Sequence, residues 1–293
     1  MKKLLVTGAS GFVGWHIAQI GSAHWELSGQ YRSKSPVGPF ASVVQMDLND
    51  LEALSSRLEI LNPDGILHLA AVSNPNFCER NQTETYHTNV LVTKSIGMYA
   101  EKKQIPFVFA SSDLVFSGNE PPYTEDSEPN PINQYGWQKM QAEQVLQEVN
   151  PGAIIARLPL MYGIPGQGSN FLANWLESWR NGKTIPAFKD EFRTGASGYD
   201  VAKGIFLLLE KGQPGIYHLG GRDCMSRYQF AKLAAAIFGL PFQCIKPSFQ
   251  KDVIMDAKRP ANVALVSKKA NALGYEPLIA EKALLRLRDK KAF

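Results

Sequence analysis

Cysteine is scarce in this chain, with three among 293 residues, Cys78, Cys224 and Cys244. An odd number at wide spacing excludes a disulfide framework and offers no metal-binding pattern. No metal is therefore expected, and reduced thiols point to the cytoplasm. Long apolar runs are missing too. None approaches the roughly 20 residues that cross a membrane. The first run, Leu4 to Val6, gives way to glycine too early for a secretory signal. Strong charge of either sign is also absent. A formal net charge of +4 argues against a nucleic-acid partner. The basic stretch 286–291 reads as the solvated face of a last helix. No internal repeat or low-complexity segment occurs. What remains is 44% hydrophobic and 20% charged, an ordinary balance for a globular protein long enough to bury a full core.

Apolar strand patterns and helical patterns alternate from the first residue. Strands are expected near 26–32, 42–47, 65–71, 106–112 and 153–158. Helices are expected over Leu51, Leu54, Leu58 and Leu61, ended by Asn62-Pro63, and over 83–103 and 134–148. Such alternation predicts an α/β fold, a doubly wound parallel (Rossmann) sheet with helices on both faces. After Pro159 the pattern changes. Helices at 171–181, 200–211 and 227–238 are separated by short extended pieces at 184–188 and 215–219, and the third helix opens with the capping-box pair Ser226 and Gln229. The expected division is a dinucleotide-binding domain over 1–160 and a smaller mixed substrate lobe over 161–293, interleaved with the first part.

The strand Leu4–Val6 runs into Thr7-Gly8-Ala9-Ser10-Gly11-Phe12-Val13-Gly14, followed by Ile17 and Ile20 at helical spacing. Gly8 permits a tight turn, Gly11 lets the backbone approach phosphates, and Gly14 lets the next helix pack close to the sheet. With Ser10, Phe12 and Val13 completing the loop, the helix start presents free N–H groups and a positive dipole end to a pyrophosphate. After the second strand many dinucleotide folds carry a carboxylate for the ribose hydroxyls. Here the residues are Arg32, Ser33 and Lys34, which suit a 2′-phosphate. NADP(H) is therefore favoured and NAD(H) is the alternative. Asp47 and Leu48 are placed for the adenine, although Asp47 also suits a turn. Leu69, Ala70 and Ala71 are small enough for a cofactor to lie close, or for simple packing.

Tyr135 and Lys139 stand at i and i+4 on one helical face. A nearby cation lowers a phenol's pKa and makes it a usable proton donor or acceptor for a carbonyl/alcohol pair. Ser112, leaving the fifth strand, is placed to donate a hydrogen bond to the same oxygen.

TGASGFVG, HLAA, SSDLVFSG, YGWQK and ARLPLMYG, in this order, resemble the extended short-chain dehydrogenase/reductase superfamily over nearly the whole chain. SSDLVFSG and Arg259-Pro260-Ala261-Asn262-Val263 most resemble its dTDP-4-dehydrorhamnose reductase branch. The resemblance implies that Ser112, Tyr135 and Lys139 form the catalytic triad, with Tyr135 the general acid and Lys139 holding the nicotinamide ribose. It implies that Asn89 supports a proton relay, that Leu158 and Pro159 flank the nicotinamide, and that Asp113, Asn170, Phe171, Arg193 and Arg259 line a nucleotide-sugar pocket. A homodimer is a further family expectation.

Two departures bear on the reaction. Leu114 stands where the reductase branch commonly has an aromatic. It also stands where the dehydratase branch has a glutamate, which disfavours dehydration. The expected function is NADPH-dependent reduction of a carbonyl, a nucleotide-linked 4-keto-6-deoxysugar fitting best. The alternatives are a nucleotide-sugar epimerase and a non-catalytic NADP-binding subunit like the methionine adenosyltransferase β subunit.

Overall fold

The computed structural model describes residues 1–21 and 23–289. Lys290 and Lys291, part of the expected basic helix face, lie outside the described residues. Seven parallel strands form the main sheet: β1 (Lys2–Thr7), β2 (Trp25–Tyr31), β3 (Ser42–Gln45), β4 (Gly65–His68), β5 (Phe107–Ser112), β6 (Ile154–Leu158) and β7 (Gly215–His218). Their order is β7-β6-β5-β4-β1-β2-β3. The order reverses between β1 and β4, so the connections leaving these two strands part and open a crevice at their carboxyl ends.

Both faces of the sheet are buried, and strand alternation decides which side chain serves which layer. On one face Leu4, Val6, Leu67 and Val108 pack with Ile17 of α1 (Phe12–Ile20) and with Val201, Ile205 and Leu208 of a long helix, Gly198–Lys211. On the other, Leu5, Ile66, Phe107 and Phe109 meet Leu54 and Leu58 of α2 (Leu51–Leu61), Ile96 and Ala100 of α3 (Val92–Lys103), and Ala142 and Leu146 of α4 (Gln134–Val149). As expected, α2 stops at Asn62, whose φ of 42° is left-handed, just before Pro63.

Two elements differ from the sequence reading. The helix expected over 83–103 comes in three pieces: Gln82–Tyr86, a π-turn at His87–Leu91, and α3. The π-turn adds one residue to the helical register and carries Asn89 into the interior. The extended piece at 215–219 belongs to the main sheet and not to the smaller lobe. As β7 it pairs with β6, its Tyr217 joining one core layer and Ile216 the other.

The smaller lobe has its own core. Leu172 and Leu176 of α5 (Phe171–Arg180), Ile185, Ile245, Phe230 and Ala234 of α7 (Arg227–Phe238), and Leu284 of α8 (Ala280–Arg288) pack together, the Gly198–Lys211 helix being α6. The Ser226–Gln229 capping box is present at the start of α7. The two segments that carry the branch resemblance meet in space, for Val115 and Phe116 pack with Tyr123, Val263 and Leu265. No helix among the described residues is long and apolar enough to cross a membrane.

Candidate active site

A cavity of about 680 Å³ follows the crevice from the glycine turn to the smaller lobe. Two glycines on its wall are dictated by close approach. At Gly8, with φ of 65°, a side-chain carbon would fall 2.8 Å from Ala70 Cα. At Gly14 it would fall 2.5 Å from the Ala9 carbonyl oxygen. The turn is braced from β2, where buried Gln30 accepts a hydrogen bond from Gly8 N at 3.0 Å and donates to Met46 O at 2.6 Å. A second brace starts at Thr7, whose Oγ1 accepts the amides of Leu69 and Ala70 at 3.1 and 3.2 Å and lies 2.8 Å from His68 Nδ1. His68 Nε2 continues to Thr93 Oγ1, which donates to Asn89 O. Burial, with the nearby charge of Lys139, pushes His68 down to about 3, so this chain runs through a neutral ring. Arg32 and Ser33 are exposed on the cavity wall, whereas Lys34 does not reach it. Asp47 accepts from Asn49 N and Nδ2 at 3.0 and 3.1 Å while lining the cavity, so it is both a turn residue and a wall residue.

Ser112, Tyr135 and Lys139 meet at the middle of the cavity. Asn133 caps α4 by accepting Gly136 N at 2.9 Å, and this capped first turn presents Tyr135 beside the end of β5. Lys139 donates to Ala110 O at 2.8 Å with its Nζ 4.4 Å from the centre of the Phe109 ring, which also stacks with His68. Burial lowers the lysine to about 7. The expected lowering of the Tyr135 pKa is corrected by the structure. Burial raises it, the charges of Cys78 and Asp113 raise it further, and only a hydrogen bond with Ser112 acts the other way. The spacing of Tyr135 and Lys139 is as read. However, the lysine is committed to a carbonyl and a ring, and desolvation of the buried phenol decides the direction. Burial thus favours the protonated phenol. Ser112 donates to Asp113 Oδ1 at 3.2 Å and accepts from Leu114 N.

Towards the smaller lobe the cavity carries a buried charge cluster. Arg193 Nε is 3.9 Å from Asp113 Oδ2, and its Nη2 is 3.5 Å from Glu191. Asp113 is pushed up to about 6 by burial, against the pull of Arg193 and Ser112. Arg259 is held by Ala257 O and Asn76 Oδ1, both at 3.1 Å. Asn170 caps α5 through Leu172 N and Ala173 N and donates to Gly163 O at 3.0 Å. Beside it, Phe171 lies under the Arg227 guanidinium at 3.7 Å.

With this geometry, comparison with known proteins is informative. A match to the RmlD substrate binding domain spans residues 1–289. The chain belongs to that family. Among relatives, a probable low-salt glycan biosynthesis reductase of Haloferax volcanii is 29% identical over 275 residues, covering 92% of this chain and 91% of that protein. Methionine adenosyltransferase 2 subunit beta of Rattus norvegicus is 28% identical over 284 residues, covering 93% and 83%. Among solved structures, a dTDP-4-dehydrorhamnose reductase of Clostridium acetobutylicum has a TM-score of 0.87 at 23% identity, covering 99% of this chain and 100% of that chain. A dTDP-4-dehydrorhamnose reductase of Bacillus anthracis in complex with NADP has a TM-score of 0.86 at 21% identity, covering 99% of each. At these identities the structures speak for the fold, the seven-stranded α/β arrangement that this RmlD-family chain shares.

All the residues expected from the sequence to meet the cofactor lie on the wall of this one cavity: the turn 8–14 apart from Ala9, Arg32, Ser33, Asp47, Leu48, Leu69, Ala70, Ala71, Tyr135, Lys139, Leu158 and Pro159. So do Asp113, Asn170, Phe171, Arg193 and Arg259. Asn89 does not. Its amide is spent on Val72 N at 2.8 Å, Val72 O at 3.1 Å and Gln138 Oε1 at 2.8 Å, which ties the π-turn to a cavity-wall residue and to α4. Sequence reasoning passed over Glu191 and Gln30. Gln30 carried no signal, since with Glu26 and Ser28 it continues a polar alternation that reads as a solvent face. Glu191 carried none.

Proposed function

We propose that this chain is an NADPH-dependent reductase of a carbonyl compound, a nucleotide-linked 4-keto-6-deoxysugar fitting the site best. The observation that carries the reading is the meeting of Ser112, Tyr135 and Lys139 on one cavity with the glycine turn. The cradle suits a nicotinamide dinucleotide. Side-chain carbons at Gly8 and Gly14 would collide with backbone, and Arg32 and Ser33 offer a guanidinium and a hydroxyl for a 2′-phosphate. Lys139 and the strand end at Leu158-Pro159 would hold the nicotinamide half. Bound there, the reduced cofactor supplies a hydride to the carbonyl carbon. The chain's residues manage the other charge. Tyr135, kept protonated by burial, gives its proton to the carbonyl oxygen as that oxygen becomes an alcohol. Ser112 orients the oxygen when its hydroxyl turns from Asp113 to the substrate, and Lys139, lowered to about 7 by burial, stands on the same wall as a group that can gain or lose a proton near neutral pH. Arg259, and Arg193 between its two carboxylates, face the substrate's nucleotide side.

Tyr135→Phe removes the acid and little else. Reduction of keto-sugars, followed by NADPH absorbance, should fall by about 10²–10⁴-fold, with NADPH affinity near the wild-type value. Full turnover in this variant would end the mechanism.

The likeness to methionine adenosyltransferase 2 subunit beta favours a second reading, an NADP-binding subunit without turnover. The complete Ser112, Tyr135 and Lys139 set supports the enzyme.

A further inference from the structure

The segment 163–170, which leads from the sheet into α5, packs on α1, with Gly163 beside Phe12 and His16 and Gly166 beside Trp15. Its middle residue, Gln167, is 5% exposed. Its Oε1 accepts from Val37 N at 2.6 Å and its Nε2 donates to Ser35 O at 2.7 Å, so both ends of one amide are used on a turn 130 residues away. The next residue, Gly168, has φ of 81°, and a side-chain carbon there would lie 2.5 Å from Phe12 N. The segment is therefore pressed onto the first turn of α1 and hooked to the Arg32 turn at the same time.

That turn has little packing of its own. Ser33, Lys34 and Ser35 are exposed, and exposed turns with few apolar contacts open easily. On its strand side Arg32 O accepts from Gln45 Nε2 at 3.0 Å. Gln167 secures the other side. We propose that Gln167 is a cofactor-positioning residue: by clamping the main chain of Ser35 and Val37 it holds Arg32 and Ser33 at the cavity wall, and with them the preference for a 2′-phosphate. The inference rests on the NADP(H) reading above and extends it to a residue of the smaller lobe. It also joins the two ends of the site. The same short segment carries Ser169 on the cavity wall and ends in Asn170, the cap of α5.

The test is a binding cycle read by quenching of protein fluorescence with NADPH and with NADH, in the wild type, Arg32→Ala, Gln167→Ala and the double variant. Gln167→Ala should raise the NADPH dissociation constant about tenfold and leave NADH within about twofold, because only the 2′-phosphate uses the turn. In the Arg32→Ala background it should add little, since both changes remove one interaction. Gln167→Glu should not rescue. Its carboxylate still accepts from Val37 N but has no proton for Ser35 O. Equal weakening of NADPH and NADH, or losses that simply add, would overturn the inference as a merely structural role. Weaker NADPH binding in Arg32→Ala but not in Gln167→Ala overturns the positioning role alone. Unchanged NADPH binding in Arg32→Ala removes the 2′-phosphate reading, and this inference with it.

Discussion

Asp113 holds a carboxylate in the interior with its charge only partly matched. Its Oδ2 has no hydrogen-bond partner among the described residues, and Arg193 Nε stands 3.9 Å away. Its pKa is raised from 3.8 to about 6, so the folded state binds the proton more tightly than the unfolded chain does. The resulting cost is complete above the folded value and disappears below the unfolded one. Asp113→Asn should therefore stabilise the protein near neutral pH by on the order of 1–3 kcal/mol. That gain should fade as the pH drops from about 6 towards 3.8. Thermal melts of the two proteins across this range test it, and a gain independent of pH would contradict the assignment. At this scale the sequence was most legible where spacing carries the chemistry. Gly8, Gly14, Ser112, Tyr135 and Lys139 lie within local patterns, and all face one cavity. The direction of the Tyr135 shift was not legible, because burial is a property of what packs around the ring. Gln167 was missed because its partners, Val37 and Ser35, lie 130 and 132 residues away, and Glu191 because its pairing with Arg193 matters only through their shared burial.

At the scale of elements, helix starts do much of the positioning. Asn133 caps the helix that carries Tyr135, and Asn170 caps α5 on the cavity wall. Asn170→Ala should remove the cap of α5 and its hold on Gly163, costing about 1–2 kcal/mol in urea unfolding. It should also raise the KM for substrate more than it lowers kcat. A KM unchanged in a destabilised variant would leave Asn170 a cap and nothing more. The boundaries of most strands and of α2, α4 and α7 follow from apolar periodicity and from stop signals such as Asn62-Pro63. The π-turn does not. One extra residue among His87–Leu91 leaves the apolar pattern almost unchanged, and its reason is tertiary: it lets Asn89 reach Val72 and Gln138.

At the scale of the whole molecule, the two halves of the chain are laced through one sheet. β7 comes from the second half and covers the edge of β6, and α6 covers α1. A fragment of residues 1–160 would expose that edge and the apolar faces of Ile17 and Val108. It should show no cooperative urea transition, and a sharp one would mark an independent domain. This lacing also explains why residues of both halves line one cavity, and why Gly168 of the smaller lobe packs against Phe12 at the glycine turn. Alternation of strand and helix made the sheet legible. The origin of its seventh strand was hidden because a four-residue apolar piece carries no sign of which sheet it will join.

The central claim is that this cavity transfers hydride to a carbonyl. The direct test is a single turnover with a dTDP-linked 4-keto-6-deoxysugar and NADPH deuterated on the transferring face of C4. Mass spectrometry should find deuterium at the new carbinol carbon with the wild type, and at least about 10²-fold slower labelling with Tyr135→Phe. Tight NADPH binding with unlabelled, unreduced sugar in the wild type would contradict the reductase and support a binding subunit.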